Sequence, residues 1–462
     1  MFESSAHTIV VGAGWTGLAA ALTLTRQGHK VILLEAAPQA GGRARSIPFG
    51  SDTVDNGQHL FMGAYTEILS LLKWLNIPEN AVFDRKPFEW FMLNLQGAQK
   101  TIYLKAPSRM SLLKGCLSFL KIQGFSLKER LSAIAFYRTI YHQNFYLSQD
   151  SSVYELLLNF KQPISLMEKL WGPMALAALS TPIHQASAQV FVKILRDIFK
   201  KSIKQDDTGS PSNWLFPKVD LSALLPNPII KYIKENGSFI FYNQRVQGLI
   251  IENGVCKGVQ TATRTFYSKS IILATPPHVA AKLLLSNSEA TDFCKKLITN
   301  LLKFHYQPIT TVYLRYANAI NLKKPMIGFI NSTLHWMFDR RFAGQPDILS
   351  IVITGSGAHT LLPHVELVTK IQQEIRSVCS NLQVLPTLHT TPIDYRVVTE
   401  KRAAFSCDVG INNYRPQAST PLANLWLAGD YIEPCYPATL EGAIRSGIKA
   451  AQLILSRDAL FI

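Results

Sequence analysis

An α/β fold with an inserted, largely helical α+β domain is what this sequence of 462 residues predicts, on three observations. First, a β-branched run, Thr8-Ile-Val-Val11, leads into Gly12-Ala-Gly14-Trp15-Thr16-Gly17, an Ala/Leu-rich helical stretch and a second apolar strand, Val31-Ile-Leu-Leu34, that stops at Glu35. Second, Leu425-Trp-Leu-Ala-Gly429-Asp430 reads as a strand closing on Gly-Asp, with helix-forming residues from 448 to 455 beyond it. Third, two long segments, about 85–215 and 300–400, separate these pieces, and the first carries apolar residues at helical spacing.

Each element of the N-terminal unit has a physical reason. Buried parallel strands need continuous β-branched runs. In G-x-G-x-x-G the first glycine makes the tight turn, the second lets a pyrophosphate approach the backbone, and the third lets helix and sheet pack closely. The helix that follows the turn, past Trp15 and Thr16, offers N–H groups and the positive end of its dipole to that pyrophosphate. Gly28 stands where a helix C-cap is wanted. Glu35, 18 residues beyond Gly17, is placed to accept hydrogen bonds from a ribose diol. The turn alone fits NAD as well as FAD.

The next residues separate the two. Gln39-Ala-Gly41-Gly42-Arg43 resembles the extension found in glutathione-reductase-type flavoproteins of the amine oxidase and phytoene desaturase group. That resemblance implies a Rossmann-type FAD-binding domain, with Gly41 and Gly42 letting the chain pass close to FAD and Arg43 along its diphosphate. It also assigns Gly429 and Asp430 to the ribityl or phosphate region. Tyr436-Pro-Ala-Thr439-Leu440-Glu441-Gly442-Ala443 then becomes the turn into a final helix whose N-terminus faces the flavin pyrimidine. Asn243-Gln-Arg-Val246 looks like the strand whose Val246 backbone meets adenine. Ser270 to Pro277 looks like the strand and turn that return the chain from the FAD domain. The expected division is FAD-binding in 1–84, 216–299 and 401–462, and substrate-binding in 85–215 and 300–400. A second strand followed by G-x-G, Ile351 to Gly357, lacks the third glycine and carries no nucleotide site, so no separate NAD(P)H domain is expected.

Composition narrows the partners. Forty-seven Lys and Arg against 31 Asp and Glu give +16, which fits nucleic acid, an anionic membrane surface or an acidic ligand. No basic–aromatic nucleic-acid module is present, so membrane is favoured over RNA or DNA. Lys193, Arg196, Lys200, Lys201 and Lys204 form one basic amphipathic stretch suited to anionic lipid. Six scattered cysteines without C-x-x-C spacing give neither a disulfide framework nor a metal site. No apolar run reaches the ~18–20 residues of a spanning helix. The expected location is the cytoplasm, with the inner face of the cytoplasmic membrane as the peripheral alternative.

A more specific resemblance runs along nearly the whole chain. Val54-Asp55-Asn-Gly57-Gln58-His59, Ala178-Leu-Ser-Thr-Pro182, Asp220-Leu-Ser-Ala-Leu-Leu-Pro226 and His335-Trp-Met-Phe-Asp339 are similar to blocks of the hydroxysqualene dehydroxylases, FAD-dependent desaturase-like proteins of hopanoid synthesis. Ser180 departs from the Asn usual in the second block. The resemblance implies reductive removal of the hydroxyl of hydroxysqualene to give squalene, an apolar tunnel for the isoprenoid, and an external reductant for the flavin. It places His59 near the flavin, where an imidazolium would protonate the leaving hydroxyl; the other role is to present its backbone to the isoalloxazine. Asp55 would orient His59 or hold the block, and Gln58, beside Gly57, would bond the flavin edge. Three rivals share the framework: a carotenoid-type desaturase or isomerase, a flavin amine oxidase, and a non-catalytic FAD-containing scaffold.

Overall fold

The computed structural model describes residues 7–94, 101–105, 111–199, 209–382, 390–432 and 436–459. Strand β1 (His7–Val11) lies at the centre of a five-stranded sheet. Strand β2 (Lys30–Leu34) and Phe239–Phe241 lie on one side of it, Ile271–Leu273 and Leu425–Leu427 on the other, and every pair is parallel. The strands are buried on both faces, as their unbroken apolar runs require. Their alternation then builds two cores. Val10, Val31 and Leu33 join Leu18, Leu22 and Ile444 on one face. Ile9, Val11, Ile32 and Leu34 join the other, which continues to Trp171 and Phe191 in the inserted helices.

Helix α1 (Trp15–Arg26) follows the glycine turn and packs along the C-terminal helix, Leu440–Ala459. Contact is close because Gly447 has no side chain; a Cβ there would sit 2.2 Å from the Thr16 carbonyl oxygen.

A second, seven-stranded sheet contains Glu89–Asn94 and Thr101–Lys105 from the first inserted segment and Tyr306–Arg315, Met326–Ile330, Trp336–Asp339, Ile348–Thr354 and Asp394–Phe405 from the second. Only the Glu89–Asn94/Met326–Ile330 pair is parallel. The two segments therefore close into one sheet, with most of the inserted helices between residues 112 and 199 and one further helix, His364–Leu382, in the second segment. Two expected boundaries cut through strands, since Asp394–Phe405 crosses 400/401 and Trp214–Pro217 crosses 215/216. Ile348–Thr354 runs into a short 3₁₀ turn at Ala358–Leu361 with no phosphate-binding helix start. Among the described residues no helix is long and apolar enough to cross a membrane.

Candidate active site

The carboxyl ends of β1, β2 and the Ile271–Leu273 strand open, with the Gly429-Asp430 turn, onto one cavity of about 1370 Å³. This is where an open parallel sheet places its ligand. The volume exceeds the ~300–1,000 Å³ of an ordinary small-molecule site, leaving room for two ligands.

One half of the cavity is built from backbone and charge. Gly12 (φ +102°) and Gly17 are packing glycines: a Cβ would come within 2.5 Å of the Ala274 oxygen at the first and 1.9 Å of the Gly12 oxygen at the second. Gly14 differs, because a Cβ there would meet only Gly42 Cα, at 3.9 Å, and would otherwise occupy the cavity. Gly41 and Gly42 take positive φ so that their backbone passes alongside Gly14. Trp15 donates its indole N–H to the Ala44 oxygen (2.9 Å), holding this loop to α1, and Thr16 lines the cavity beside it. The buried Glu35 carboxylate accepts from the Ala13 and Ala37 amides at 2.7 and 2.8 Å. Val246 lines the same end. Arg43 and Asp430 pair at 2.9 Å across the cavity. Burial works against the Arg43 charge, but Asp430 outweighs it and holds the guanidinium above its usual value. Thr439 Oγ1 accepts the Gly442 amide at 3.1 Å and so caps the C-terminal helix, bringing Thr439, Leu440 and Ala443 to the cavity wall. Thr275, also in the wall, has a buried hydroxyl with no hydrogen-bond partner among the described residues.

Gly57, Gln58 and His59 line the junction between this half and the rest. The Gln58 amide is fixed: Oε1 accepts from Arg340 Nη1 (2.6 Å) and Ser350 (2.8 Å), and Nε2 donates to the His59 carbonyl (3.1 Å). Buried Arg340 also donates to Gln345 Oε1 at 2.7 Å. Sequence reasoning missed Arg340, Ser350 and Gln345, which lie about 290 residues beyond Gln58; the available signal was the neighbouring His335–Asp339 block.

The surroundings of His59, Asp55 and Glu441 narrow their expected roles. Burial lowers His59 to about 4, with only the Gly57 carbonyl opposing it, so the site favours the neutral imidazole over the imidazolium at pH 7. Its Nδ1–H donates to the Gly57 oxygen at 2.8 Å, leaving Nε2 as an acceptor. Asp55 does not orient His59 and does not line the cavity. It accepts from Leu221 N (2.8 Å) and Ser46 Oγ (3.2 Å), and burial, opposed by the Leu221 amide and Arg340, pushes it up to about 6. Glu441 is fully buried away from the cavity. It accepts from the Glu67 and Ile68 amides at 3.0 and 3.1 Å and pairs with Arg445 at 2.8 Å, so it caps the Thr66–Trp74 helix.

The other half of the cavity is apolar. Phe88 stacks on Trp214 (5.0 Å) and meets Phe199 edge-on (6.0 Å), while Trp90 meets Trp336 at 4.9 Å. Met174, Ala178, Tyr65 and Tyr436 line the same cavity. Burial raises both phenols, so each keeps its proton. Asp197 is the one carboxylate among the chamber residues, the others of the lining (Glu35, Glu400 and Asp430) belonging to the charged half.

The glycine cradle open at Gly14, the carboxylate closing β2 and the capped helix start form a continuous dinucleotide groove. The model of the flavin containing amine oxidoreductases matches residues 15–455. The chain belongs to that family. Its cofactor is FAD. Hydroxysqualene dehydroxylases of Zymomonas mobilis subsp. mobilis and Rhodopseudomonas palustris are 27% and 26% identical over 98% and 97% of this chain and 99% and 98% of their own. A zeta-carotene desaturase of Zea mays is 22% identical over 96% of this chain and 82% of its own. Among solved structures, a putative protoporphyrinogen oxidase of Exiguobacterium sp. 255-15 superposes with a TM-score of 0.69 at 17% identity, covering 98% and 99% of the two chains.

The basic stretch 193–204 is only partly described: Lys200, Lys201 and Lys204 lie outside the described residues. The Ala188–Phe199 helix turns Val190, Phe191 and Leu195 into the core and Ile194, Ile198 and Phe199 to the cavity. Its apolar side is therefore already covered. Cys116, Cys256, Cys294 and Cys407 are free thiols; Cys435 lies outside the described residues.

Proposed function

We propose that the chain catalyses the reductive dehydroxylation of hydroxysqualene to squalene, the C30 precursor of hopanoids. The observation that carries this reading is the continuity of the FAD groove with an aromatic-walled apolar chamber in one cavity. The similarity to hydroxysqualene dehydroxylases over nearly both full lengths supports it. Bound FAD, reduced by an external donor, supplies the hydride that replaces the hydroxyl. The chain's residues do the rest. The C–O bond breaks with its electron pair leaving on oxygen, which takes a proton and departs as water; the allylic carbon accepts the hydride. Aromatic faces such as Trp90 and Trp336 stabilise the delocalised cation, and the dry chamber prevents water from recapturing it. Tyr65 and Tyr436, whose phenols keep their protons, are hydrogen-bond donors for the departing oxygen, and His59 Nε2 accepts a hydrogen bond. The substrate is drawn from the inner face of the cytoplasmic membrane.

The test is anaerobic incubation of the flavoprotein, chemically reduced, with hydroxysqualene, products being read by mass spectrometry. Squalene formed only with reduced flavin is expected. New double bonds in phytoene with oxidised flavin, and no squalene, would move the chain to the desaturases.

A further inference from the structure

Two helices of the inserted domain carry an apolar face that is exposed among the described residues. On Leu112–Leu120, residues Leu113, Leu117 and Leu120 are 70%, 44% and 39% exposed and share one face at i, i+4 and i+7. On Leu127–His142, Leu127 and Leu131 are 62% and 53% exposed. The helices are locked together: the Tyr137 ring lies against Gly115, where a Cβ would come within 2.3 Å of it, and meets Phe119 at 5.5 Å. Arg130 ties them further, donating to the Leu120 and Phe125 carbonyls at 3.1 and 3.0 Å. The leucines thus stand on a rigid platform. Such a patch on a water-facing surface marks an interaction site.

Charge selects the occupant. Within 111–142 the exposed cations are Lys114, Lys121, Lys128 and Arg138. The only acid, Glu129, is engaged as the capping-box partner of Ser126 and by Ser165. Leucines flanked by lysines, with no exposed acid among them, match the headgroup boundary of an anionic bilayer, where the apolar side enters and the ammonium groups remain at the phosphates. The platform also backs onto the chamber: Tyr137 meets Phe199 edge-on at 6.2 Å, and Phe199 lines the cavity.

We propose that the 112–142 helix pair docks this protein on an anionic membrane surface, through Leu113, Leu117, Leu120, Leu127 and Leu131 inserted between headgroups bound by the surrounding lysines. The site differs from the 193–204 stretch that the sequence favours, and the inference rests on the reading of the chamber as a site for a bilayer-dissolved isoprenoid.

The experiment is flotation of the full-length flavoprotein with phosphatidylglycerol/phosphatidylcholine vesicles and with phosphatidylcholine vesicles alone. It compares wild type with Leu117→Glu/Leu131→Glu and with Lys114→Glu/Lys121→Glu; flavin content and circular dichroism confirm folding, and sedimentation reads oligomeric state. The wild type is expected to float with the anionic vesicles only, and each double variant to bind at least about tenfold less while turning over detergent-dispersed substrate normally. Absence of wild-type binding, or unchanged binding in the leucine variant, overturns the proposal. So does a leucine variant that dissociates a dimer without changing vesicle binding, which would assign the face to a second copy of the chain. Failure of the functional reading shows separately, as vesicle binding without squalene formation.

Discussion

The two halves of the cavity are built from different materials. At the FAD end, backbone and short-range charge do the work: glycines that admit a close approach, amides that hold Glu35, and an Arg43–Asp430 pair. At the chamber end, large side chains from distant segments do it: Trp90 and Trp336 meet because two inserted segments close into one sheet, and Phe199 and Trp214 join them from a helix and a strand outside that sheet. The first half tolerates almost no change at a few positions, whereas the second is defined by shape and volume. Substitutions should therefore separate cofactor loss from substrate loss.

The largest effect is expected at Gly14. Its φ of −71° suits any residue, so Gly14→Val should fold, fill the groove and purify with at least about a hundredfold less flavin affinity, read from absorbance and circular dichroism. Gly17→Val should fail to fold, because its side chain would enter the Gly12 carbonyl. A yellow, fully loaded Gly14→Val protein would break the comparison at its strong end. Ala178→Trp should do the reverse, retaining full flavin while turnover falls at least about tenfold through lost chamber volume. Next comes Asp430→Asn, which leaves Arg43 without its counter-charge. Because Arg43 is about a third exposed on its side chain, the expected cost is about 2 kcal/mol in flavin affinity, near thirtyfold, by equilibrium dialysis.

The smallest effect belongs to His59, at the junction. In the folded chain it stays neutral to about pH 4, whereas the unfolded chain protonates near 6.5. Its contribution to stability is thus complete above pH 6.5 and is lost as pH falls towards 4. His59→Gln should remove that dependence, making urea-unfolding free energies at pH 7 and pH 5 converge by at most about 2 kcal/mol. Turnover at pH 7 should stay within about threefold. A hundredfold loss, with flavin retained, would restore His59 as the acid.

What could be read along the chain was whatever lies within one local unit. The strand–turn–helix–strand–acid run of residues 8–35 identifies the FAD groove because each glycine's role depends on neighbours a few positions away. Gly429-Asp430 and the Thr439 turn were legible for the same reason. Glu441 was misread within that same turn, because its carboxylate caps a helix that begins 375 residues earlier, at Thr66. The protonation of Asp55 and His59 was not legible because burial, which no spacing reveals, decides it, and because their partners, Leu221 and the Gly57 carbonyl, depend on how the loop folds back. Arg340 reaches Gln58 across 282 residues, a contact that exists only once the second sheet is assembled. By itself, then, the sequence determined the cofactor groove, whose physics is local backbone geometry. Only the tertiary structure decided which groups are charged, which leucines remain uncovered and what shape the chamber takes, because desolvation and packing are properties of the assembled chain.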